Sequence, residues 1–142
     1  MSTTAALTDT LGTGEERRTR SVTMAQDKTY KGSCHCGKIA FEVEGSFDSV
    51  MECNCSHCSR KGYLLSFVPR TALRITTDET AISTYTFNRH AIRHQFCPQC
   101  GCAPFGLGTG RDGVATAAIN VRCLEGIELS ALERKFVDGR SF

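Results

Sequence analysis

At 142 residues the chain has the size of one ordinary domain, large enough to bury a core without disulfides, so its nine cysteines need another explanation. The formal charge of +2 and the pI of about 8.1 are too mild to argue for a nucleic-acid partner, which announces itself by a domain pI above roughly 9 and a clustered basic face, and none is expected. No stretch is apolar for long enough to span a membrane.

Residues 1–27 are rich in Thr, Ser, Gly and charge, with apolar residues too sparse to carry a helical or strand period. A flexible tail is expected there. It contains no apolar run of signal-peptide length, and Asp9, Glu15 and Glu16 sit badly with a transit peptide. From residue 28 to residue 142 the texture changes to short apolar segments separated by turn residues, with an apolar spacing of two. The segment KIAFEVEG is the clearest: Ile39, Phe41 and Val43 fall on one face, Lys38, Glu42 and Glu44 on the other, as a half-buried strand requires. Further short strands are expected at residues 50–53, 63–68, 82–87, 91–96 and 114–121. No segment sustains an amphipathic helix, and SALERK supports at most one or two turns. The expected product is a single all-β domain over 28–142, its small core stitched by metal.

Seven of the nine cysteines are clustered: Cys34 and Cys36 as CxC, Cys53, Cys55 and Cys58 as CxCxxC, Cys97 and Cys100 as CxxC. Such spacings suit a shared ion better than a disulfide. Thiolates kept this way imply a reducing compartment, and the cytoplasm is the expected location. In GSCHCGK and FCPQCGC a glycine follows the second cysteine of the pair, which allows a tight turn with backbone amides aimed at the sulfurs. Each pair resembles half of a zinc ribbon. Roughly sixty residues separate the halves, so if they meet they close a long loop and do a structural job. CxCxxC then stands alone with three ligands. The fourth corner of its tetrahedron is open unless Cys102, Cys123 or a histidine fills it. Iron–sulfur ligation fits less well, because the spacings match neither ferredoxin pattern nor a Rieske centre.

Several neighbours carry two readings each. Cys102 and Cys123 are either small buried hydrophobes or, for Cys102, the closing ligand of the second site. His57, between Cys55 and Cys58, is an inert loop residue or one that positions substrate or shuttles a proton. His90 and His94 would share a strand face with Ile92 and Phe96, and that face runs into CPQC. Arg60 and Lys61 follow the triplet and are either a solvated turn or the partners of a substrate carboxylate.

Taken in order and at these separations, GSCHCGKIAFEVEG, CNCSHCSRKG and FCPQCGCAPF resemble the glutathione-dependent formaldehyde-activating enzyme family, which includes centromere protein V. The resemblance runs from about Tyr30 to the C-terminus. It implies a β-tent fold with two zinc ions per chain, a structural one on Cys34, Cys36, Cys97 and Cys100 and a catalytic one on Cys53, Cys55 and Cys58. The reaction it implies is addition of glutathione to formaldehyde, giving S-(hydroxymethyl)glutathione, in the carbon–sulfur lyase class. A non-catalytic zinc module that binds a protein or carries a thiol is the other expectation, since fold alone does not decide function.

Overall fold

The computed structural model describes residues 28–141; the tail expected over 1–27 lies outside the described residues. The domain is all-β, as expected. Among the described residues ten strands form two sheets: β1 (Lys28–Ser33), β2 (Ala40–Gly45) and β5 (Leu73–Ile75) make the smaller one, in the order β1-β2-β5. The larger runs β10-β3-β4-β9-β8-β7-β6, from β3 (Ser49–Cys53), β4 (Leu65–Pro69), β6 (Ser83–Tyr85), β7 (Arg93–Phe96), β8 (Phe105–Thr109), β9 (Ala115–Asn120) and β10 (Glu133–Val137). Pairing is antiparallel throughout except between β10 and β3, which run parallel.

The alternation in KIAFEVEG does what its period demands. Ile39, Phe41 and Val43 are fully buried, while Glu42 faces outward and accepts a 2.6 Å ion pair from Arg74 of β5. These side chains and Leu73 meet Val50, Val68, Phe105, Ala117 and Ile119 of the larger sheet in one core. Phe41 and Phe105 cross edge-to-face at 5.2 Å, the arrangement their ring quadrupoles favour. Burying each such side chain stabilises the fold by about 1.5–3 kcal/mol. Opposite Phe41 on β1 stands Gly32, and the ring lies in the space a Cβ would take.

Five elements escape the period-two pattern. β8, FGLGT, is broken by Gly106 and Gly108, and β5 has only three residues. β1, KTYKGS, is mostly exposed. SALERK departs most from expectation: a single 3₁₀ turn at Leu129–Ala131 leads into β10, whose exposed Glu133, Arg134 and Lys135 pair with β3 through the backbone and through one ion pair, Arg134 to Glu52 at 3.1 Å. A solvent-facing edge strand carries no apolar period, so only its distant partner shows it. The fifth is the one α-helix among the described residues, Ser56–Lys61, inside the cysteine triplet.

Candidate metal centre

The topology brings the two outer cysteine pairs together. Cys34 and Cys36 lie in the turn between β1 and β2, Cys97 and Cys100 in the loop between β7 and β8, and their four sulfurs all lie within 4.8 Å of one another. Cys36 Sγ is 3.7 Å from Cys34 Sγ and 3.6 Å from Cys97 Sγ. A tetrahedron with zinc–sulfur bonds of about 2.3 Å has edges of about 3.8 Å, so the donor set fits zinc. Backbone amides support it: Ile39 N donates to Cys34 Sγ at 3.3 Å and Gln99 N to Cys97 Sγ at 3.4 Å. The turns that aim these amides need left-handed backbone at Gly37 (φ 85°) and Gly101 (φ 82°).

The triplet forms a second group. Cys53 ends β3, Cys55 caps the short helix, and Cys58 lies within it; their three sulfurs also lie within 4.8 Å of one another. Cys58 N donates to Cys55 Sγ at 3.3 Å, satisfying an otherwise orphaned helical amide. Burial, then the neighbouring Cys55 and Cys53, pushes the Cys58 thiol well above the ordinary range. Three thiolates this close need a cation between them, which is the chemistry of a zinc ligand set. Among the described residues neither Cys102, Cys123 nor any histidine joins this group. Cys123 sits instead toward the other centre: burial raises its thiol to about 11, with added contributions from Cys102, Cys34 and Cys100.

The C-terminal segment after β10 is latched onto the triplet. Asn54 Nδ2 donates to Asp138 Oδ1 and Arg140 N donates to Asn54 Oδ1, both at 2.9 Å, while Asn54 N donates to the Val137 carbonyl. Gly139 is thereby pressed against Cys53, in a position where a Cβ would overlap the sulfur. A cavity of about 580 Å³ opens beside the triplet, lined by all three cysteines and Gly139 together with Tyr63, Leu65, Phe67, His94 and Arg111 among others.

Residues 29–133 match the family described as glutathione-dependent formaldehyde-activating enzyme. The chain belongs to this family. A crystal structure of a Rhodobacter sphaeroides protein is similar over 74% of this chain and 99% of its own, at 29% identity and a TM-score of 0.64. The three cysteine motifs and the two groups that can hold zinc all lie within the matched residues.

Around the triplet of this family member the remaining candidate residues separate. His57 is helical rather than in a loop, and its ring packs among Tyr63, Tyr85, Phe87 and His94, 4.2 Å from the last. Both His57 ring nitrogens are buried without a partner, and burial, then Lys61, holds its pKa down. His94 is lowered to about 4 by burial, then by His57 and Lys61, so it is neutral at physiological pH. His94 and Phe96 do share a face of β7, but His90 does not: it sits at φ 57° in a turn before the strand, bonded to Thr86 Oγ1 at 2.8 Å. Arg60 Nη1 donates to the Ser56 carbonyl at 2.8 Å within its own helix, and Lys61 Nζ lies 5.7 Å from the Phe96 ring centre beside a smaller cavity of about 210 Å³. The cation lining the triplet's cavity is Arg111. Nothing in GTGRDG distinguishes it from a plain turn, and only the fold carries that turn to the site. Tyr63, whose hydroxyl is raised to about 12 by burial, then Cys58 and Cys123, escaped notice for the same reason.

Proposed function

We propose that the chain is a zinc-dependent enzyme of the carbon–sulfur lyase class that joins glutathione, or a related thiol, to formaldehyde or another small aldehyde, giving an S-hydroxymethyl-type adduct. The observation that carries this reading is the composition of the triplet: three cysteine sulfurs, no fourth protein ligand among the described residues, and an open cavity against them. Three protein ligands with an open position are the pattern of catalytic zinc, whereas four are that of structural zinc. On this reading Cys34, Cys36, Cys97 and Cys100 hold one zinc that ties β1 to the β7–β8 loop, and Cys53, Cys55 and Cys58 hold a second at the reaction site. Working with free thiols, the protein belongs in a reducing compartment such as the cytoplasm. Among the described residues no helix is long and apolar enough to cross a membrane.

In the reaction one sulfur–carbon bond forms, the carbonyl π pair moves to oxygen, and the thiol's proton ends there. Bound zinc supplies a soft acceptor that favours a thiol in its deprotonated, nucleophilic form. The chain does the rest. Cys53, Cys55 and Cys58 keep the charge of the site near −1, so a bound sulfur stays electron-rich and suited to attack on a carbonyl rather than to hydrolysis. Neutral His94, on the cavity wall, offers a ring nitrogen through which the proton can pass to the carbonyl oxygen. Apolar walls exclude competing water. Arg60, Lys61 and Arg111 are the cations near enough in sequence or space to meet a carboxylate of the tripeptide.

X-ray absorption at the zinc edge, with and without glutathione, tests this reading. A rise in mean sulfur coordination on addition is expected. An unchanged environment with four sulfurs on every zinc would make the domain a non-catalytic zinc module.

A further inference from the structure

The cavity beside the triplet, at about 580 Å³, falls in the range of drug-sized ligand sites. Formaldehyde, a single CH₂O unit, fills a corner of it. Glutathione would fill it by size but not by chemistry. The walls are apolar, with Met51, Leu65, Phe67 and Ile92 prominent; Arg111 is the charged side chain among them, and no carboxylate lies among the described residues of the lining. A tripeptide ammonium placed there would find no side-chain carboxylate to pair with, and its peptide groups would lie against apolar walls that offer them few hydrogen bonds. Nor is the space a packing accident. Gly106 of β8 and Ala118 of β9 are cross-strand partners, Ala118 also pairs with Phe67 of β4, and all three line the cavity, so small residues at matched positions keep the sheet face open.

Resting on the proposed open metal position, we propose that the thiol this cavity holds is a medium-chain mercaptocarboxylate. Its sulfur lies against Cys53, Cys55 and Cys58, its methylene chain runs along Leu65, Phe67 and Ala118, and its single carboxylate meets the Arg111 guanidinium at the rim. One apolar body and one anion match one apolar wall and one cation. The guanidinium fork suits a carboxylate bidentately, which a screened surface charge does not.

Calorimetric titration of the zinc-loaded full chain with four thiols tests the assignment: mercaptohexanoate, its alcohol analogue mercaptohexanol, mercaptoethanol and glutathione. Each methylene moved from water into the cavity contributes up to about fourfold in affinity, part of it lost to freezing the chain. Mercaptohexanoate is expected to bind at least about tenfold tighter than either mercaptoethanol or glutathione. Arg111→Gln should bring mercaptohexanoate to the level of mercaptohexanol and leave mercaptohexanol unchanged. Ala118→Leu, which fills the cavity, should weaken both six-carbon thiols about tenfold while mercaptoethanol keeps its affinity. Zinc content and circular dichroism establish that each variant is folded and loaded. Glutathione binding as tightly as mercaptohexanoate, or Arg111→Gln weakening every thiol alike, would overturn the proposal and leave the thiol-adding reading in place. Failure of all four thiols to bind the wild-type protein would overturn both.

Discussion

Gly139 packs against Cys53 so closely that a Cβ at that glycine would overlap the sulfur. The two residues are brought together by Asn54, which bonds Asp138 and the Arg140 amide 84 and 86 residues away. The parallel pairing of β10 with β3 delivers that segment to the end of β3, where the triplet begins. The position of a candidate metal ligand is thus set by the segment that follows β10.

Gly139→Ala should therefore displace Cys53 and weaken the triplet's hold on metal while the four-cysteine group keeps its own. Overpacking of this kind costs about 1–3 kcal/mol. Elemental analysis after gel filtration should find zinc falling from near two toward one per chain, with an unchanged far-ultraviolet spectrum. Two zinc ions held as firmly as in the wild type would show that the strap does not position Cys53.

Cysteine replacements at the two groups should part company. Cys34 and Cys97 are buried, and Cys36 Sγ meets Cys97 Sγ across 61 residues of chain. Cys34→Ser or Cys100→Ser should cost several kcal/mol of folding free energy, because metal-binding energy there is folding energy. Cys55→Ser breaks a local group at a helix end and should leave a folded protein with about one zinc and no adduct formation. Denaturant unfolding and zinc content separate the cases. Equal unfolding by both substitutions would assign the triplet a structural role.

Stability should fall on acidification through a window set partly by His94. Its folded pKa, lowered to about 4 by burial, lies below the ordinary histidine value of 6.5, so the unfolded chain binds the proton more readily. The sign follows: no penalty above about pH 6.5, progressive loss as pH drops toward 4, and no further loss from this group below that. His94→Gln removes the titration. Melting temperatures of wild type and variant, measured across that range in the same zinc buffer, should converge as pH falls; parallel curves would mean that His94 keeps an ordinary pKa.

Gly32→Ala tests the packing under the first metal motif. Phe41 lies across Gly32 on the neighbouring strand, and an added methyl must push the ring out of its place between the sheets. A loss of about 1–3 kcal/mol is expected from urea unfolding. Because Cys34 follows two residues later, zinc affinity of the four-cysteine group should fall with it. A neutral substitution would place the ring's freedom to move above its role in the core.

The all-β class, KIAFEVEG as a half-buried strand and the division of seven cysteines into four and three were legible in the sequence. Each is a local pattern: an apolar period of two forces one face inward, and close cysteine spacing with turn glycines already presents sulfurs to an ion. β10, the Asn54 latch, Gly139 and Arg111 were not legible. Their neighbours alone single out nothing, since an exposed edge strand carries no apolar period and the arginine of GTGRDG looks like any turn residue. What made them part of the site is the register of long-range pairing, β10 beside β3 and Gly106 opposite Ala118. Backbone pairing is blind to side-chain type, so where distant strands meet, and therefore which residues surround the triplet, was decided by the tertiary structure.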